Sequence, residues 1–229
     1  MEHTLFSLVA DLEHFVVINK TADCSFHDED KLGSGLHSQV QSTLKLNLYP
    51  VHRIDKMTSG LVIFAKSADI AAEFGQLFEQ HKIAKFYVAL SKQKPKKKQG
   101  WVKGDMAKSR RSAWKLLRTM ENPAISQFFS YGVDNGLRLF IVRPLSGKTH
   151  QIRVALNSIG SPIVGDAIYN PSDVADRGYL HAFALQFELR GYKYEFEIAP
   201  SFGEYFLTET MKEKLASLTS PWQLNWPKS

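Results

Sequence analysis

Apolar residues recur along this chain on two periods, and each period marks a different element. FVVINK (15–20) is a continuous apolar run closed by a charge, the pattern of a short buried strand. In LHSQVQSTLKLNLYP the residues Leu36, Val40 and Leu44 fall four apart, which predicts a helix that stops before Pro50. LVIFAK (61–66) is β-branched and aromatic and reads as a strand. Ser67 then stands as the N-cap of ADIAAEFGQLFEQHKI (68–83), where Ile70, Phe74, Leu77 and Phe78 form one apolar stripe. FYVAL (86–90) reads as a strand, and the lysine-rich stretch after it as a loop between strands. Further strands are expected at 126–133, 136–145, 179–189 and 193–199, with Gly136 at a turn between two of them. HQIRVALNSIG (150–160) reads as a helix ended by Gly160, and a last helix is expected from near Gly203, carrying Phe206 and Met211. Strands outnumber helices and are hairpin-connected, without the regular alternation of a doubly wound fold. The class is therefore α+β, with a mixed, largely antiparallel sheet and flanking helices.

At 229 residues, 44% hydrophobic and 23% charged, the chain fits one domain over 1–229 with a sizeable core. No run is long enough to span a bilayer, and MEHTLFSLVADLEH carries acids where a leader peptide would carry bases. The single cysteine, Cys24, excludes an internal disulfide and a cysteine-based metal site, which makes a reducing cytoplasm the expected location. The net charge of +6 is unevenly placed. Residues 91–118 hold eleven Lys or Arg against one acid, Asp105, a balance of +10, so the remainder carries −4. Such a block favours a polyanion, above all nucleic acid, although most charge runs are only solvated loops.

Two segments are polar where their neighbours are core-like: VHRIDKMTSG (51–60) and RPLSGKTHQIRVAL (143–156). SPIVGDAIYN and YLHA form a weaker third. VHRIDKMTSGLVIFAKS resembles the HRLD-x-x-TSG-LLLLAK motif of RluA-type pseudouridine synthases, and LSGKTHQIRVAL resembles their TGRTHQIRVHL. PIVGDAIYN, YLHAFALQF, FVVINK and KFYVAL also find counterparts in family order, over about residues 13–200, while residues beyond about 203 match nothing in it. The resemblance implies a pseudouridine synthase-like fold with a central cleft, and an enzyme that isomerises uridine in ribosomal or transfer RNA without cofactor or metal. Carried over by motif, Asp55 is the catalytic carboxylate, Arg153 its partner, and Tyr87 the ring that stacks on the uracil and takes part in moving its C5 proton. It implies no protein partner and no membrane.

The chemistry asks for such a set. The C1′–N1 bond must break, the uracil must turn over, and C5 must bond to C1′. Either attack on C1′ or removal of the 2′ proton needs a charged carboxylate in a pocket that excludes water. A guanidinium would hold that carboxylate through two parallel hydrogen bonds. The target base must leave its stack, and Arg53 could fill the vacated space or hold a phosphate. His52, Lys148, His150 and Gln151 are further candidates for RNA contact, Leu180 for packing under the base, and Lys96, Lys97 and Lys98 for gripping phosphates. Taken singly, Asp55 fits a capping residue, Arg153 a surface charge, Tyr87 a core ring, and both histidines structural roles. Thr58, Ser59 and Gly60 fit a tight turn that aims Asp55 into the cleft.

Lys56-Met57, Lys148, Ala155 and the turn KTADCSFHDED depart from the family pattern without touching Asp55, Tyr87 or Arg153, and no S4 RNA-binding domain is expected ahead of the catalytic strand. Two other classes fit parts of the sequence. A non-catalytic RNA-binding or assembly factor would need no buried carboxylate. A glycoside or nucleoside hydrolase would need a second one, for which Asp166 is the motif-associated candidate.

Overall fold

The computed structural model describes residues 4–29, 31–110 and 112–228; Asp30 of the KTADCSFHDED turn and Arg111 of the basic segment lie outside them. In chain order the elements are β1 (Phe6–Asp11), β2 (Phe15–Lys20), α1 (Leu36–Leu44), β3 (Tyr49–Pro50), β4 (Ser59–Ala65), α2 (Ala68–Glu79) and β5 (Ala84–Ser91). They continue with β6 (Gln99–Gly104), β7 (Met106–Lys108), β8 (Trp114–Leu116), β9 (Ala124–Gly132) and β10 (Arg138–Pro144). The remainder are α3 (Gln151–Ser158), β11 (Leu180–Leu189), β12 (Tyr192–Glu197) and α4 (Glu209–Ala216). Ten strands form one sheet along the path β1-β2-β4-β11-β5-β10-β9-β6, with β12 on β11 and β3 on β4, while β7 and β8 pair separately. Only β4 and β11 run parallel; the other pairs are antiparallel. No helix among the described residues is long and apolar enough to cross a membrane.

β4 shows why the sheet needs cover on both faces. All seven of its residues are buried. Val62 and Phe64 pack with Leu36 and Val40 of α1, and the alternate residues Leu61, Ile63 and Ala65 with Ile70 and Phe74 of α2. Ser67 caps α2 by accepting the Ile70 amide at 3.3 Å, as its sequence predicts. A third apolar cluster joins β5 and β10 to α3, α4 and the C-terminal tryptophans.

Several elements differ from the sequence expectation. α2 ends at Glu79, four residues early, and α4 begins at Glu209 behind an N-cap Thr208, so Phe206 packs from the preceding turn. β1 was not visible because its burial lacks alternation; it carries a register shift between Leu8 and Ala10 at the sheet edge. Much of the basic segment, expected as a loop, forms β6, β7 and β8. Lysines on exposed edge strands discourage further strand pairing and hide the strand pattern.

Two histidines lock the ends of β4. His52, expected to face RNA, instead accepts the Ile63 amide on Nε2 at 3.0 Å and lies 5.0 Å from the Phe78 ring. His181 lies 2.9 Å from the Ile198 carbonyl through Nε2, which must therefore carry the proton, so Nδ1 accepts the Ser59 hydroxyl at 2.7 Å. Burial first, and then the charges of Lys85 and Arg177 respectively, lower each imidazole to about 3. Both are thus neutral in the fold and gain protons on unfolding at mildly acidic pH. Their contribution is complete above pH 6.5 and declines as pH falls from there towards about 3.

Urea unfolding between pH 7 and pH 5 should therefore show stability falling by roughly 1 to 2 kcal/mol per pH unit below 6.5. A flat profile over that range would contradict the neutral, hydrogen-bonded assignment. Gly60 supplies a second test. It has φ of +110°, and a Cβ there would lie 2.3 Å from the Ala182 carbonyl oxygen. Gly60→Ala should destabilise the protein by about 3 kcal/mol or more, since overpacking adds to backbone strain. A loss below about 1 kcal/mol in the same assay would mean the β4–β11 contact can open without cost.

Candidate active site

The loop between β3 and β4 presents Asp55, and buried groups behind it fix its shape. The Thr58 amide donates to the Asp55 carbonyl at 3.0 Å, closing a turn. Lys20 is fully buried at the end of β2, and its ammonium donates to the carbonyls of Thr21, Lys56 and Thr58 at 2.9, 2.9 and 2.8 Å. All three protons of a buried cation are thereby used, two of them to tie the backbone after Asp55 to the end of β2. Burial lowers the Lys20 ammonium to about 8. Behind the same turn Arg177 donates to Ser59 Oγ at 2.6 Å, which joins the loop to His181.

Opposite the loop, α3 delivers Arg153. Its two parallel bonds go not to Asp55, as expected, but to Asp166: Nε to Oδ2 at 2.7 Å and Nη2 to Oδ1 at 2.8 Å. Asp55 receives one longer bond, from Nη1 to Oδ2 at 3.3 Å. Asp166 is fully buried and also accepts the amides of Ile168 and Tyr169, so every bond it makes points inward. This removes it as the second carboxylate of a hydrolase, which must reach across a scissile bond. Burial by itself disfavours the Arg153 cation, but hydrogen bonds and charge from Asp166, with help from Asp55, raise it above its ordinary value. The Tyr169 ring lies 5.1 Å from the guanidinium carbon. Its hydroxyl accepts the Trp114 amide at 2.8 Å and meets His150 Nδ1 at 3.0 Å.

These elements enclose a cavity of about 170 Å³ with Asp55, Arg153, Tyr87, Lys85 and Leu180 in its wall. Tyr87 and Lys85 lie two apart on β5 and so share a face. Burial, and secondarily the Asp55 charge, drives the Tyr87 phenol far above its ordinary value, which makes it a neutral donor in the resting site. Burial also lowers the Lys85 ammonium. Leu180 is buried at the start of β11 and floors the cavity. Asp55 is the one acidic residue lining it among the described residues, against Arg53, Lys85, Lys148 and Arg153.

The other candidates divide. Arg53 is exposed at the lip, and Lys148 and His150 line the wall, Lys148 bonded to Asn122 at 2.9 Å. Gln151 lines it as well, but its amide is fully spent inside the protein. Oε1 accepts from Ser146 Oγ and the Lys148 amide, and Nε2 donates to the Ile125 carbonyl and Ser126 Oγ. Gln151 therefore shapes the turn between β10 and α3 and has no donor left for RNA. Lys96, Lys97 and Lys98 are exposed on the connection from β5 to β6. That connection leaves β5 at Ser91, about 13 Å along the strand from Tyr87, so these lysines stand away from the cavity. The sequence assigns no role to Tyr169, Lys85 or Lys20, although they lie inside the motif segments PIVGDAIYN, KFYVAL and FVVINK, and it offers Asp166 only as the second carboxylate of a hydrolase.

Comparison with known proteins agrees with this geometry. A family model described as RNA pseudouridylate synthase matches residues 14–158. Over 210 residues the chain is 47% identical to a Haemophilus influenzae protein named uncharacterized RNA pseudouridine synthase, covering 90% of this chain and 93% of that one. It is 29% identical over 188 residues to ribosomal large subunit pseudouridine synthase C of Rickettsia prowazekii, covering 76% of this chain and 61% of that protein. The fold is shared with human RNA pseudouridylate synthase domain containing 1, at a TM-score of 0.75 and 21% identity over 94% of this chain and 95% of the other. The matched region runs from the start of β2 to the end of α3 and so takes in the Asp55 loop, Tyr87 and Arg153: this chain belongs to the RNA pseudouridylate synthase family, isomerases that act on RNA.

Proposed function

We propose that the chain isomerises uridine to pseudouridine in structured ribosomal or transfer RNA, with Asp55 as the catalytic carboxylate. The observation that carries this reading is the charge pattern of the cavity: one acid, partly open to solvent, among four cations. Cations at the wall suit a phosphate-bearing substrate, and the single carboxylate suits a reaction that needs one group at the sugar.

The C1′–N1 bond breaks with its electron pair going to N1 while Asp55 acts at the sugar, either by bonding to C1′ or by taking the 2′ proton. The detached uracil is held against the Tyr87 ring above Leu180 and turns so that C5 faces C1′. The new C1′–C5 bond forms as the Asp55–C1′ bond breaks or, on the other route, as Asp55 returns the proton to C2′; C5 then gives up its own proton, and N1 ends protonated. Tyr87 holds its own proton while Asp55 is charged. Its part in moving the C5 proton follows glycosidic cleavage, when the detached uracil lies against its ring. Arg153 sets the direction of Asp55, and Arg53 at the lip takes the space or the phosphate beside the flipped nucleotide. The name of the Rickettsia prowazekii relative supports ribosomal RNA as the first target class to test.

The test is tritium release from RNA carrying 5-tritiated uridine, with ribosomal and transfer RNA pools prepared separately from cells lacking the enzyme. Wild type should release tritium from one pool, and Asp55→Asn should slow that release by roughly a thousandfold or more. Undiminished release by the variant would remove Asp55 from the chemistry. Binding without release from either pool would favour the RNA-binding reading instead.

A further inference from the structure

A second groove opens off the catalytic cavity. It holds about 620 Å³ where α2 ends, β5 begins, β10 ends and β11 passes, and it shares Lys85 and Pro144 with the cavity wall. Phe78, Phe187 and Leu145 give it apolar surface. Its cations are poorly neutralised. Lys193 is paired with Glu195 at 2.5 Å, but Lys82, Lys85 and Arg143 have no carboxylate within ion-pair distance among the described residues. Arg143 lies on β10 with its guanidinium 5.8 Å from the Phe86 ring, and its Nε is buried without a hydrogen-bond partner. Burial lowers both the Arg143 guanidinium and the Lys85 ammonium from their ordinary values. Glu188 is the one acid lining the groove among the described residues.

Desolvated cations without a counter-charge are costly in a folded protein and are offset where a ligand brings the anion. We infer that this groove carries the strand of RNA flanking the target uridine, with phosphates on Lys85, Arg143 and Lys82 and a base or ribose against Phe78. The inference rests on the isomerase reading above and adds the path of the substrate away from the site. It also separates two basic regions. The groove is continuous with the cavity through Lys85, whereas Lys96, Lys97 and Lys98 follow the far end of β5. RNA leaving the cavity therefore meets Lys82 and Arg143 first.

The test compares binding of uridine 5′-monophosphate and of a fluorescein-labelled oligouridylate of about twelve nucleotides over roughly 50 to 200 mM salt. In Lys82→Ala/Arg143→Gln, affinity for the oligomer should fall about tenfold. The slope of log affinity against log salt should become shallower by about 1.4, the counterions of two single-strand phosphate contacts. Affinity for the mononucleotide should stay within about twofold, because it occupies the cavity without running along the groove. Lys82→Ala alone, at an exposed position that cannot disturb the core, should flatten the slope by about 0.7. An unchanged slope, equal weakening for both ligands, or a wild type that holds both ligands equally well would each overturn the inference. Tritium release by the wild type separates the two readings. Release together with an unaltered slope removes the groove alone, whereas a flattened slope without release keeps the groove as an RNA path and removes the isomerisation.

Discussion

One guanidinium, that of Arg153, stands between two carboxylates with different work to do. Asp166 takes the fork, with bonds of 2.7 and 2.8 Å, and is itself held by two backbone amides. Asp55 takes the remaining nitrogen at 3.3 Å and keeps part of its surface open. Removing one partner of a buried pair leaves an uncompensated charge and costs about 3 to 5 kcal/mol, so Asp166 and Arg153 are bound to one arrangement. A rigid arginine can then direct a carboxylate that, in the reaction proposed above, must change its bonding. Were Asp55 given the fork, that same clamp would have to be broken at the chemical step.

The opposite half of the site is held from behind by a comparable economy of polar groups. Lys20 spends two of its three protons on the backbone after Asp55, and Gly60 lets β4 approach β11 closely enough for the Ser59–His181 bond to form. Neither residue lines the catalytic cavity. Both set where Asp55 stands, which is how a buried scaffold aims an exposed functional group. Tyr87 comes from β5, hydrogen-bonded to β11 on one side and β10 on the other, so its ring in the cavity wall is as firmly placed as the carboxylate.

The strongly periodic or capped elements were legible from the chain: β2, β4, α1, the start of α2, and the α3 helix with Gly160 after it. The edges were not. β1 and β6 to β8 bury too few side chains to alternate, and Thr208 rather than Gly203 governs the start of α4. Family resemblance drew the eye to Asp55, Tyr87 and Arg153, and the structure brings these three to one cavity. Where residue reasoning failed, it failed for one cause. A polar residue on an apolar stretch signals that a partner exists, without saying whether that partner is a ligand or the protein. Gln151 and His52 satisfy their own fold, and Asp166, a candidate only for the hydrolase reading, holds the arginine. Only contacts far apart in sequence, such as those from 126 to 151 or from 153 to 166, separate the two cases.

The account turns on the shape of the Arg153 contact, a fork that places a third nitrogen against Asp55, and not on positive charge alone. Arg153→Lys keeps the charge but cannot bond Asp166 twice while also facing Asp55. The most direct measurement is single-turnover tritium release by this variant on saturating 5-tritiated RNA, with RNA affinity measured alongside. Release should be slowed by about a hundredfold or more at nearly unchanged affinity, because the carboxylate is no longer held in line. Release within a few-fold of wild type would show that a nearby cation suffices, and that the division of Arg153 between Asp166 and Asp55 does not position the reaction.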